Sequence, residues 1–361
     1  MDLVDLLISG RKLEIFHKGS VFREFYLGHM DFEGANGGTW KKYINIPIDP
    51  PSVDYNQIIM IDDTYVTALG SNGKIQSSIA SEFWSNIRDN FKDIRFFNEK
   101  FEELYYLTLY ESFDSKLAVY IVRVPAYTKE VNIGFGNPLA LESSKKEFSS
   151  DPYVMDANDG GEGYPPLVDS NGEIIFEGHA AWGGSTWATD RNRLDLYVED
   201  GVFFDLSNFV FEFKFIYDQF DYTTGTLDRR NTLILVKDSN GDNIFEIYRS
   251  GYDGKLYEYD GTWGYQDVRD YSHLLGSITN GVEYTIKMTY DGVEWKIYLN
   301  DEYKVTVDRS SAKNNPPGIL LFNPTMQTDG SGAEGDIKWR WILSPFYETV
   351  TDLGTPTIRD L

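Results

Sequence analysis

The residues of this chain that can do chemistry are carboxylates and aromatic rings. General acid–base cleavage of a glycosidic bond needs two carboxylates flanking that bond. Glu212 sits between Phe211 and Phe213 with no second acid beside it, and Asp195 and Glu199, four apart and so on one face of a strand, have no third acid to join them. Solvent-facing strand charges account for both patterns. No Gly-x-Ser-x-Gly elbow, His-Glu-x-x-His pair or phosphate-binding glycine loop occurs. Cysteine is absent, which excludes disulfides, thiolate zinc sites and cysteine nucleophiles. The histidines, His17, His29, His179 and His273, are not at metal-ligand spacing.

Binding a glycan asks for less: rings that pack on sugar C–H faces, and polar groups that pair with hydroxyls. Two stretches qualify as loops. One places Trp182 and Trp187 among small residues, and the other runs through Tyr259, Asp260, Trp263 and Tyr265. Tryptophans also plug the ends of sandwiches, so ring packing competes with ligand contact. Calcium takes oxygen ligands only, and Asp156, Asn158 and Asp159 gather such oxygens in one stretch, although not at EF-hand spacing. Runs of this composition also simply turn.

The elements that must position these residues are strands. Phe209, Phe211, Phe213, Phe215 and Tyr217 alternate with Glu212 and Lys214, a period of two that puts rings on one face. The same alternation recurs over Tyr284–Tyr290, Val293–Leu299 and Tyr303–Val307, joined by Asp291-Gly292 and Asn300-Asp301. These turns tolerate the positive φ of a type I′ hairpin, so the stretch predicts a three-stranded meander. Its apolar face demands a second sheet, which makes a β-sandwich. An aromatic content of 16% favours pleated sheet. A formal charge of −24 makes nucleic acid and anionic membrane surfaces poor partners. No apolar run is long enough to span a bilayer, and the first residues lack the basic leader of a Sec signal peptide.

A length of 361 residues suggests two domains. Residues 1–39 read as an arm containing a hairpin of Lys12–His17 and Val21–Leu27, suited to docking on a neighbouring copy or another surface protein. Residues 40–140 read as a first β-sandwich with one helix, marked by Ile79, Phe83, Ile87 and Phe91 along one side and capped by Ser77 or Ser78. Residues 141–150 read as a linker, 151–347 as the second sandwich, and 348–361 as a surface strap in which Pro356 breaks extended pairing.

Trp40-Lys41-Lys42-Tyr43-Ile44-Asn45-Ile46, Asp93-Ile94-Arg95-Phe96, Val119–Pro125 and Ile133–Ala140 resemble, in order, the landmarks of an uncharacterised β-sandwich domain of archaeal and bacterial surface proteins. Phe135-Gly136-Asn137-Pro138 stands where that family usually has Tyr-Gly-Asn-Pro. Glu294–Asn300 and Asp336–Ile342 are similar to strands of laminin-G-like and concanavalin A-like jelly rolls, with Asp301 replacing the usual turn glycine. That resemblance implies a structural calcium with an acid near the last strand, for which Glu334 and Asp336 would join Asp156, Asn158 and Asp159. The glucanases of this group carry Glu-x-Asp-x-x-Glu on one strand, and no such run occurs here.

The expectation is therefore a mainly β protein of two sandwich domains, the second a jelly roll, that is not an enzyme. It would be a virion or surface structural protein of tail, fibre or decoration type, located on a virion or a cell surface. It would bind glycans through the jelly roll and form a homo-oligomer through its arm. The alternatives are a cell-surface adhesin or lectin and a concanavalin-like glycoside hydrolase.

Overall fold

The computed structural model describes residues 4–9, 12–17, 20–26, 39–148, 150–151, 163–164, 167–168, 173–183, 186–198, 200–222, 230–259, 272–323, 326–327, 334–342 and 352–360. The protein is mainly β, with two β-sandwiches and an N-terminal antiparallel sheet of Val4–Ser9, Lys12–His17 and Ser20–Tyr26. The predicted arm hairpin is the second half of that sheet.

The first sandwich packs a six-stranded sheet on a four-stranded one. The six strands run in the order Lys146–Phe148, Tyr106–Ser112, Leu117–Val124, Tyr55–Ile61, Val66–Gly70, Gly73–Ser77. The four run Thr357–Asp360, Lys42–Pro47, Glu130–Phe135, Arg95–Phe97. Between them lie Ile44, Ile46, Ile59, Phe96, Tyr120, Ile133 and Phe135. The helix differs from its prediction. It spans Ala80–Asn86 only, Ile79 is its N-cap residue without a side-chain cap, and Ile87 is already extended. Phe83 and Trp84 bury the helix against the sheets, and Phe91 reaches the same core from a left-handed backbone at φ 55°. Turn geometry, rather than helical spacing, carries Phe91 inward.

Landmarks of the first sandwich converge on one buried knot. Asp93 accepts backbone hydrogen bonds from Arg88 (3.0 Å) and Gly136 (2.9 Å), and its own carbonyl accepts the Trp40 indole N–H at 2.5 Å. Gly136 has φ 88°, a conformation that side chains other than glycine's disfavour. Arg95, fully buried, lies 5.0 Å from the Trp40 ring centroid and donates to the carbonyls of Lys92, Ile94 and Leu141. Burial pushes the Asp93 carboxyl above its ordinary range, against the pull of those backbone donors.

Two boundary expectations are corrected. Pro356 does not stop extended pairing: Thr357–Asp360 pairs with Lys42–Asn45 immediately after it, because a proline just before a strand costs the ladder no donor. Leu353 is buried in the first core, so the tail completes that sandwich. The stretch read as a linker supplies edge strands to two sheets, Lys146–Phe148 beside Tyr106–Thr108 and Ser150–Asp151 beside Asp195–Leu196.

The second β-sandwich consists of an eight-stranded and a nine-stranded sheet. The eight-stranded sheet runs Ser150–Asp151, Leu194–Tyr197, Ile319–Phe322, Arg230–Lys237, Asn243–Ser250, Lys255–Tyr259, His273–Ser277, with Met326–Gln327 also on Arg230–Lys237. The nine-stranded sheet contains Thr186–Asn192, Ile174–Gly183, Glu334–Ile342, Phe209–Tyr222 and the predicted meander of Glu283–Tyr290, Trp295–Leu299 and Glu302–Thr306. Gly292, Asn300 and Asp301 all have positive φ, as the turns require. Val293 departs from the expected face: it is 67% exposed in the turn, and the strand begins at Trp295. Phe211, Phe213, Phe215, Trp339, Trp341 and Trp295 fill the space between the sheets. The same apolar cluster continues into Ile58, Leu107, Val119 and Ile121 on the outward face of the six-stranded sheet.

Candidate functional site

The backbones of Trp182 and Trp187 are paired in register on the nine-stranded sheet, whereas Tyr259 ends a strand of the eight-stranded sheet. Asp260, Trp263 and Tyr265 lie outside the described residues, as do Asp156, Asn158 and Asp159. Asp336 is exposed on the outward face of strand Glu334–Ile342, and Glu334 is two positions along it. Among the residues whose side chains are described, no three His, Asp or Glu groups surround a metal position.

What the tertiary structure does assemble lies on the outer face of the eight-stranded sheet. Phe245, Ile247 and Leu256 point into the sandwich, so Glu246, Tyr248, Tyr257 and Tyr259 lie on the opposite side. Glu246 is directly opposite Tyr259, and Tyr248 is opposite Tyr257 with their rings stacked at 5.7 Å and 18°. The Thr232 hydroxyl donates to Glu246 Oε2 at 3.0 Å. The same ladder passes from Glu246 through Leu235 and Leu321 to Asp195. Arg193 grips Asp195 with two hydrogen bonds, 2.5 and 2.8 Å long. All of these except Arg193 are nearly enclosed, Glu246 at 4% exposure and Asp195 at 5%.

The surrounding polar groups hold the rings in place. Tyr248 Oη lies 3.1 Å from Ser272 Oγ, and the Tyr257 hydroxyl donates to Asp253 at 2.7 Å. Desolvation would raise the Asp253 carboxyl, but the hydrogen bond from Tyr257 and the donors of Lys255 bring it below its ordinary value. On the inner side of the same strands, His273 Nδ1 is 2.7 Å from the fully buried Glu258, and its Nε2 is 4.0 Å from Asp308, just beyond the strand Glu302–Thr306 of the facing sheet. That arrangement ties the two sheets at their edge.

The outward face of the nine-stranded sheet is different in kind. Lys338 pairs with Glu177 at 2.6 Å, Lys214 with Glu283 at 3.3 Å, and Arg340 with Asp218 and Glu173. Glu212, the strand carboxylate singled out in the sequence, belongs to this charged face, in register with Lys287.

The sequence reading missed Glu246, Tyr248 and Tyr257. The signal was present in Asn243–Ser250 and Lys255–Tyr259, whose alternate positions carry Glu246, Tyr248, Tyr257 and Tyr259. The strands on either side had to be paired before those positions met.

No family model matches this chain, and no curated protein matches it. Solved structures similar to it include the alginate lyase AlgAT5 of polysaccharide lyase family 7, at 15% identity over 55% of this chain and 82% of that one, with a TM-score of 0.32. The laminarinase catalytic domain of Thermotoga maritima is 9% identical over 54% of this chain and 90% of its own, TM-score 0.33. The Bacillus licheniformis β-glucanase is 12% identical over 53% and 89%, TM-score 0.31. These neighbours are enzymes. They count against the expectation of a non-enzymatic virion or surface component, which is corrected here.

Proposed function

We propose that the second sandwich is a polysaccharide-cleaving enzyme of the concanavalin-like hydrolase class, working on the outer face of its eight-stranded sheet. The observation that carries this reading is Glu246, a nearly enclosed carboxylate held by Thr232 and set in one ladder with Tyr259, beside the stacked pair Tyr248 and Tyr257. A carboxylate held among rings can hand a proton to a glycosidic oxygen.

Asp195 is another enclosed acid on the same face, fixed by Arg193. Three strand spacings separate its position from that of Glu246, about 14 Å between Cα atoms. That exceeds both the about 5 Å of a retaining pair and the about 6.5–9.5 Å of an inverting pair, so Glu246 carries the reading without Asp195 as its partner. The resemblance of residues 40–140 to the uncharacterised surface-protein domain belongs to the same reading. It is supported by the convergence of Trp40, Asp93, Arg95 and Gly136 on one knot, and it gives that half a structural role.

The test is release of reducing ends from a panel of polysaccharides by the full chain and by Glu246→Gln. The variant is expected to lose about 10²- to 10⁴-fold in rate. Equal release by a folded Glu246→Gln, or none from any polymer with the native chain, overturns the reading. Products with unsaturated, ultraviolet-absorbing ends would reassign it to elimination.

A further inference from the structure

The edge of the four-stranded sheet is filled from far along the chain. Strand Lys42–Pro47 pairs on one side with Glu130–Phe135 and on the other with Thr357–Asp360, in the register Thr357 to Asn45, Ile358 to Ile44 and Arg359 to Tyr43. Just before that edge strand, a second set of bonds holds the segment. The Asp49 N–H donates to the Asp352 carbonyl at 2.9 Å, and the Gly354 N–H to the Pro47 carbonyl at 2.8 Å. Asn72, in the turn between Val66–Gly70 and Gly73–Ser77, grips Leu353 in both directions. Its amide nitrogen donates to the Leu353 carbonyl at 3.0 Å, and its oxygen accepts the Leu353 N–H at 3.2 Å. Residues 352–360 therefore tie the edge of the four-stranded sheet to the last hairpin of the six-stranded one.

The side chains enter a built seat. Leu353 is buried in the first core, and Ile358 packs against the same core. Gly70 makes the room: a Cβ added there would come within 2.7 Å of Leu353 Cγ. Backbone pairing to a sheet edge, with pockets for spaced side chains, is how a sheet takes up an extended peptide. The whole second sandwich lies in the chain between the acceptor strand and this segment, so no tight turn forces the two to belong to one molecule. The contacts are the same whichever copy supplies the segment, and an edge left bare in one copy is a template for another. We propose that this seat is a strand-acceptor site and that two copies of the chain exchange residues 352–360 through it. The site is on the first sandwich and does not involve the Glu246 face.

Ordinary and heavy-isotope full chains are mixed and weighed by native mass spectrometry, with and without a synthetic peptide of residues 352–360. Dimers of mixed mass are expected, their share rising with protein concentration, and excess peptide is expected to reduce them by about tenfold or more. The full chain carrying Leu353→Asp keeps the acceptor and spoils the donor. It is expected to form few dimers alone, to bind the native peptide and melt at a higher temperature with it, and to pair with Asn72→Ala chains, which keep the donor. A native chain that stays monomeric at every concentration, dimers that the peptide leaves unchanged, or a folded Leu353→Asp chain that does not bind the peptide would each overturn the proposal.

Discussion

Buried charge sets the character of single residues here. Glu111, on the strand Tyr106–Ser112, is largely buried, hydrogen-bonded by Tyr120 at 2.9 Å and paired with Lys146 at 2.8 Å. Burial outweighs both partners and raises its pKa above the ordinary 4.5. A carboxyl whose folded value is raised takes up its proton more readily when folded. The stability it contributes is therefore complete below about pH 4.5 and is lost as the pH climbs through the raised value. Glu111→Gln is expected to flatten that part of the curve of denaturation midpoint against pH. A variant whose curve keeps the native slope there would show that Glu111 is not the titrating group. Arg95 makes the complementary case: with no exposure, it meets Glu103 at 3.3 Å and spends its other donors on backbone carbonyls. These carboxylates and guanidinium groups hold strands and loops together.

At the level of elements, turns and edges decide more than propensity does. Asn300 and Asp301 adopt φ 50° and 63°, so the hairpin closes with both residues left-handed. Aspartate tolerates that conformation less well than glycine. Asp301→Gly is expected to raise stability by up to about 1 kcal/mol in chemical denaturation, the increased freedom of the unfolded chain taking back part of the gain. A loss of stability would show that the Asp301 side chain offsets its own backbone cost. The helix illustrates the converse. Its apolar spacing runs on to Phe91, yet the helix stops at Asn86, because Arg88 gives its N–H to Asp93 in place of a helical carbonyl.

For the whole molecule, the notable feature is apolar continuity between the two sandwiches. Ile121 has 2% exposure and faces away from the first core, in the cluster that fills the second sandwich. Ile121→Ala is expected to cost about 2–5 kcal/mol, and calorimetry should show both sandwiches melting earlier. A thermogram in which only one transition moves would mean that the cluster does not couple them. The C-terminal segment adds a second, covalent reason for coupling: the chain leaves the first sandwich, builds the second, and returns to pair Thr357–Asp360 with Lys42–Asn45.

The sequence by itself determined the strands of the later half, their facing and their turns, because alternation of rings and charges over Phe209–Tyr217 and the meander leaves one register that buries the rings. It also determined that no thiol chemistry occurs and that no Glu-x-Asp-x-x-Glu run is present. Only the tertiary structure decided which strands are neighbours. Glu246 and Tyr259 are separated by a turn, Asp195 lies well before both, and Thr357 is far along the chain from its partner Asn45. Pairing across a sheet acts through space at about 5 Å and leaves no spacing rule along the chain. For the same reason the tail read as a strap and residues 141–150 as a linker. A strand that only completes an edge needs a partner rather than a strong pattern of its own.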